Sequence, residues 1–135
     1  MFRLLYISRA TSGTTHEQIQ DIQRAALQHN PAAGITGVLV HGGGLFMQVL
    51  EGPEQTVLRL YVKILDDRRH TDVRLIHISP AEEQVFKNCS MAVLNGDPLD
   101  HQRIGELRAR RLESVQSQEF TQLMREFVRR VSGGT

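Results

Sequence analysis

The stretch "ITGVLVHGGGLFMQVLEGP", Ile35 to Pro53, decides the fold. Two apolar runs, "ITGVLVH" and "LFMQVLEG", are joined by the turn-forming glycines 42–44 and read as a β-hairpin. The second run is continuous and closed by Gly44 and Pro53, the pattern of a strand buried on both faces. Gln48 sits in its middle, after Leu45, Phe46 and Met47 and before Val49 and Leu50. A buried amide without partners costs about 1–3 kcal/mol. Gln48 therefore either meets water or finds hydrogen bonds inside the protein.

Working outward from this hairpin, "FRLLYIS" (Phe2 to Ser8) reads as a first strand. Its two parities, Phe2, Leu4, Tyr6 and Ser8 against Leu5 and Ile7, are both largely apolar, so both faces need cover. Thr14 and Glu17 then stand at capping-box spacing. Ile19, Ile22 and Ala26 give the stripe of a helix expected to end before Pro31. After the hairpin, Pro53 suits a first helical position, with Glu54 and Gln55 in the first turn. Val57, Leu60, Tyr61 and Ile64 form that helix's apolar face, which fades into "DDRRH" (66–70). "VRLIHIS" (Val73 to Ser79) is a fourth strand, and a short fifth is expected near Ser90 to Leu94.

The order is that of an α+β, ferredoxin-like βαββαβ(β) sheet with two helices on one face. From Pro98 onward the chain reads as C-terminal helices, with Leu107, Leu112 and the stripe Phe120, Leu123, Phe127 and Val131. The expected division is a domain over 1–97 and a helical extension over 98–135.

Composition narrows the function classes. The 135 residues are 40% hydrophobic and 23% charged, with a net charge of +1, which provides no general drive toward nucleic acid or acidic membranes. Two tyrosines, five phenylalanines and no tryptophan make a poor base-stacking platform. A single cysteine excludes an intrachain disulfide and fits a reducing compartment. No window approaches the ~18 apolar residues of a membrane span. The expectation is a cytoplasmic protein with no nucleic-acid or membrane partner.

The six histidines, at 16, 29, 41, 70, 77 and 101, are nowhere spaced as metal ligands, so no metal site is expected. "HGGG" at 41–44 matches the oxyanion loop of lipases only without the G-x-S-x-G elbow that reading needs. Cys89 alone reads as a small buried hydrophobe. "DDRRH" reads as a solvated helix end, although two arginines and a histidine also suit an anionic ligand group. Tyr6 and Gln48 are each polar-tipped in the middle of an apolar strand, on parities that helices cover, and Asn30 adds an amide nearby. On physics alone, a static core hydrogen bond and a polar ligand pocket between the two helices stand level.

These residues, in this order, resemble a BLUF domain, a blue-light sensor that uses flavin. The resemblance covers Phe2 to Leu94. It rests on "LLYIS", "NPAAGITGVL", "G-x-F-x-Q-V-L-E-G-P", the helix ending in "DDRRH", and "FKNCSM". It implies the same ferredoxin-like fold and a non-covalent flavin, FAD foremost, with FMN or riboflavin as alternatives. By the same resemblance Tyr6 is the photoactive tyrosine that gives an electron and a proton to excited flavin. Gln48 bridges Tyr6 and the flavin N5/O4 edge, and Asn30 bonds the O4/N3 edge. Ser8 lies beside the photoactive pair, and Phe46 joins the cofactor-binding residues. Ile22 and Ile64 sandwich the ring, while Lys63, Asp67, Arg69 and His70 line the ribityl and phosphate end. Met91 senses the rearranged glutamine.

The resemblance also implies a mechanism, in which rotation or tautomerisation of the Gln48 amide strengthens the bond to the flavin carbonyl and shifts absorption to the red. Many relatives carry tryptophan two residues before the methionine. Here Cys89 takes that place, so Met91 is expected to point inward, with an altered lit-state lifetime.

The chain is expected to be a short, stand-alone, non-enzymatic photoreceptor whose signal passes to an unidentified protein partner or to a homo-oligomer. The latter is suggested by the apolar second sheet face (Leu5, Ile7, Met47, Val49). Two rival readings stand beside it. An acylphosphatase-type hydrolase would rely on Arg9 followed by "ATSGTT". A light-insensitive ligand-binding or oligomerisation module would keep the fold alone.

Overall fold

Tyr6 and Gln48 stand directly opposite each other on neighbouring strands, and the fold follows from the ladder that puts them there. The computed structural model describes residues 1–11, 16–42, 44–82, 84, 86, 91–95, 126 and 129. Among the described residues seven elements follow one another: β1 (Phe2–Ala10), α1 (His16–Ala33), β2 (Thr36–Gly42), β3 (Leu45–Gly52), α2 (Glu54–Leu65), β4 (His70–Pro80) and β5 (Ala92–Asn95). The sheet order is β4-β1-β3-β2-β5. The first four strands pair antiparallel with one another and β5 is parallel to β2, so the ferredoxin-like sheet gains a mixed edge. One row of paired residues crosses the whole sheet: Leu75, Tyr6, Gln48, Leu39 and Val93.

Alternation along the strands separates two cores. Leu4, Tyr6, Leu39, Phe46 and Leu50 face α1 and α2, where Ile19, Ile22, Val57, Leu60 and Ile64 pack on them. Leu5, Ile7, Val38, Val40, Met47 and Val49 form the opposite core with Phe86. That second face is the sequence's argument for a partner copy. Its residues are fully buried within the chain, so the argument falls. Also buried on this side is Glu51. Its Oε2 accepts from Arg3 Nε at 2.8 Å, and its Oε1 accepts from the Phe86 N–H at 2.7 Å.

Several element boundaries differ from the sequence reading. α1 runs through Pro31 to Ala33: the proline removes a single i→i−4 bond near the helix end, and the helix stops at Gly34 instead. Gly34 is left-handed (φ 72°). Its N–H bonds the Pro31 carbonyl and that of Ile35 bonds Asn30, which together make a Schellman stop. Pro53 precedes α2 rather than opening it. β4 starts at His70 rather than Val73, since Ala10 and Arg9 pair with His70 and Thr71, and Asp72 takes up the register change at φ 54°.

β5 begins at Ala92, two residues after the expected Ser90. The Thr14 cap, Cys89, Ser90 and the helices expected from Pro98 onward lie outside the described residues, apart from helical Glu126 and Arg129. No helix among the described residues is long and apolar enough to cross a membrane.

Candidate functional site

Between α1, α2 and the sheet lies a cavity of about 310 Å³. Its floor is the Tyr6, Gln48 and Leu39 part of the row that crosses the sheet, and each wall is set by helical spacing. α1 contributes Ile22, Ala25, Ala26, His29 and Asn30, and α2 contributes Leu60, Lys63 and Ile64. β1 and β3 present Tyr6, Phe46 and Gln48, β2 presents Leu39, and Met91 closes the side next to β5. Asp67, Arg69 and His70 come from the turn after α2 and the start of β4.

The cavity thus gathers Tyr6, Ile22, Asn30, Phe46, Gln48, Lys63, Ile64, Asp67, Arg69, His70 and Met91, all legible as site residues in the sequence. Ser8, the other sequence candidate, stands behind the wall and is bonded to His70. Ala25, Ala26, His29, Leu39 and Leu60 complete the lining, and sequence reasoning misses them as site residues. Ala25 and His29 lie within the expected helix at i+3 and i+7 from Ile22, and that spacing is their only signal in the sequence. Leu39 is signalled by its register opposite Gln48.

Gln48 is buried, and its two ends have different partners. The Tyr6 hydroxyl donates to Gln48 Oε1, and Gln48 Nε2 donates to Met91 Sδ at 3.4 Å. Met91 is 2% exposed, and Gln23 Nε2 of α1 donates to its main-chain carbonyl at 3.1 Å. Burial, then the negative charge of Asp67, then Tyr61 push the Tyr6 phenol far above the usual tyrosine range. Tyr6 is therefore a neutral hydroxyl donor.

His70 Nε2 lies 2.6 Å from the Ile64 carbonyl, which can only accept, so Nε2 carries a hydrogen. In the neutral ring Nδ1 is then an acceptor for the Ser8 hydroxyl at 2.7 Å. The His70 ring stands edge-on to Tyr6 with centroids 6.0 Å apart. Arg69 grips Asp67 through Nε at 2.9 Å and Nη2 at 2.5 Å. This bond holds the Asp67 carboxyl below its usual range and the guanidinium above its own, despite partial burial.

The arrangement suits one flat, largely apolar ligand with a polar edge. Ile22 and Ile64 present aliphatic surface from opposite helices. Asn30 and Gln48, both buried, bring amides that can donate or accept at a ring edge. Lys63 and the Asp67–Arg69 pair place a cation and a fixed fork at the other end. These residues fit a flavin. Arg9, on which the hydrolase reading relies, is exposed on β1 opposite Leu45 and is not among the cavity residues. No group of three or more His, Cys, Asp or Glu among the described residues could hold a metal ion.

Comparison with known proteins agrees with this geometry. A family model described as BLUF, sensors of blue light using FAD, matches residues 1–92. The beta subunit of photoactivated adenylate cyclase from Euglena gracilis is 45% identical over 83 residues, covering 62% of this chain and 10% of its own length. The alpha subunit is 39% identical over 100 residues, 74% of this chain and 9% of its own length. The chain spans about a tenth of the length of these curated relatives.

Among solved structures, the dark state of the BLUF protein BlrB superposes with a TM-score of 0.77 at 28% identity, covering 94% of both chains. The photo-activated state of BlsA gives 0.79 at 26% identity, again covering 94% of both. A bacterial light-regulated adenylyl cyclase gives 0.67 at 35% identity, over 94% of this chain and 35% of its own. A family match over β1 to β4, both helices, Tyr6 and Gln48 leaves one conclusion: the chain belongs to the BLUF family of blue-light sensors.

Proposed function

We propose that this chain binds FAD non-covalently in the cavity between α1, α2 and the sheet, and that Tyr6, Gln48 and Met91 form its light-responsive element. The observation that carries this reading is the buried chain of hydrogen bonds from the Tyr6 hydroxyl through the Gln48 amide to the Met91 sulfur. When bound, flavin supplies the absorption of blue light and an acceptor for one electron and one proton.

The residues divide the remaining work. Ile22 and Ile64 exclude water from the ring faces, and Asn30 orients the polar edge. Lys63, Asp67, Arg69 and His70 hold the phosphate-bearing end. Tyr6 Oη–H is the proton and electron source, poised on Gln48 Oε1. Gln48 is the two-state part, because an amide offers a donor at one end and an acceptor at the other. Exchanging these ends by rotation or tautomerisation alters what the cofactor edge receives, a local change with a wider readout. Met91 distinguishes the two orientations, since a thioether accepts from Nε2 but has no hydrogen to give Oε1.

The signal leaves through β5 toward a protein partner or another copy of the chain. An exposed apolar stripe on α2, Leu58, Val62 and Leu65, supports self-association independently of the buried sheet face.

An absorption spectrum of the purified protein, taken in darkness and again after blue light, tests the reading. Flavin bands that move to the red and relax in the dark are expected. Bound flavin that never shifts would remove the roles given to Tyr6 and Gln48. Absence of flavin after reconstitution would remove the cavity assignment, and chromatography of the released cofactor distinguishes FAD from FMN or riboflavin.

A further inference from the structure

Gln23 takes no part in the cavity lining, yet its side chain reaches from α1 to the main chain of Met91. The two ends of this contact belong to elements of very different robustness. α1 has 18 residues and packs on the sheet through Ile19, Ile22 and Ala26. β5 has four residues, lies at the sheet edge, and pairs in parallel with β2 over Val38–Ala92 to His41–Asn95. Short parallel edge pairing is the weakest ladder in this sheet. Met91 stands one residue before that ladder begins, where the strand is most easily displaced.

The Gln48 Nε2–Sδ contact of 3.4 Å is of ordinary length for sulfur, but a thioether is a weak acceptor, so displacement of the Met91 main chain would readily break it. Whether sulfur stays on Gln48 thus depends on what holds the start of β5.

We propose that Gln23 is a positioning residue for the photocycle. Its Nε2–H bond to the Met91 carbonyl anchors the start of β5 on α1 and thereby keeps the Met91 sulfur seated on the Gln48 amide. This inference rests on the photoreceptor reading above. Because the sulfur favours the amide orientation with Nε2 toward it, the anchor biases the two-state element and so sets how long the lit state lasts. Gln23 acts through the Met91 main chain and takes no direct part in the site.

The test uses the full chain with its flavin bound and two substitutions that remove the donor: Gln23→Leu, close in size, and Gln23→Glu, which sets an acceptor against the carbonyl. Two variants of opposite polarity keep the test available if one fails to fold. Both are expected to retain flavin and the full size of the red shift. Dark recovery should change by about threefold or more, in line with coupling between contacting groups. Amide exchange at Val93 and Leu94 in the dark protein should accelerate severalfold.

In a Met91→Ala background the same Gln23 substitutions should leave recovery where Met91→Ala alone puts it. Unchanged recovery with unchanged β5 exchange would overturn the proposal. So would an equal fold-change in the Met91→Ala background, which would mean that Gln23 acts by another route. A wild-type protein that binds flavin without shifting would instead overturn the photoreceptor reading, while the exchange measurement would still decide whether Gln23 anchors β5.

Discussion

The Tyr6 hydroxyl is one atom, and its removal is the sharpest test of the site. Tyr6→Phe keeps the ring that packs among Leu4, Phe46 and Leu50 but deletes the donor to Gln48 Oε1. The variant should fold and bind flavin as the parent does and lose the light-induced red shift, read by difference absorption. Loss of this neutral donor should cost about 1–3 kcal/mol of stability, since it leaves the buried Gln48 oxygen without its partner. The same residue explains why the site is legible in the sequence. Tyr6 and Gln48 are polar groups at positions whose apolar neighbours mark burial, and such groups require partners, whereas Asn30 is placed near them by the topology and given its role by the family resemblance. Leu39 and Ala25 carry no such contradiction, because an apolar residue on an apolar face announces packing and nothing more.

At the scale of elements, two glycines make opposite predictions. A Cβ on Gly37 would lie 2.0 Å from the Val49 carbonyl oxygen, so Gly37→Ala must push β2 off β3. That variant should be poorly soluble or lose flavin, measured by the yield of coloured protein. A Cβ on Gly34 meets nothing closer than Pro53 Cδ at 3.6 Å, but the φ of 72° is costly for any L side chain. Gly34→Ala should therefore cost only about 1–2 kcal/mol in denaturant unfolding and keep flavin. The same contrast shows what a sequence conveys about boundaries. β3 is legible at its observed limits because Gly44 and Pro53 close it. The end of α1 is not, because Pro31 is a louder signal than Gly34, although the glycine stops the helix. The start of β4 is hidden as well. His70, Thr71 and Asp72 are polar, and their place beside β1 comes from the tertiary ladder rather than from hydrophobic alternation.

For the molecule as a whole, the second core holds the less visible determinants of stability. Glu51 is fully buried and ties β1 to the segment that follows β4. Arg3→Met would take the Arg3 guanidinium away from that carboxylate and should cost about 3 kcal/mol or more, measured by chemical unfolding. His77 lies half-buried opposite Leu5, and burial, then the Arg3 charge, hold its imidazole below the usual 6.5. The folded state thus binds its proton less readily than the unfolded chain. The stability linked to His77 is complete above about pH 6.5 and is lost as pH falls through the lower folded value. His77→Gln should flatten that acid limb in thermal melts taken from about pH 7.5 downward.

The row Leu75–Tyr6–Gln48–Leu39–Val93 gives the molecule a short ruler. With strands about 4.8 Å apart, Gln48 stands roughly 10 Å from the β5 margin, with only Leu39 of β2 between. The amide thus lies within two strand widths of the perimeter. A neighbour resting on that margin could register an event at the amide while the remaining framework stays still.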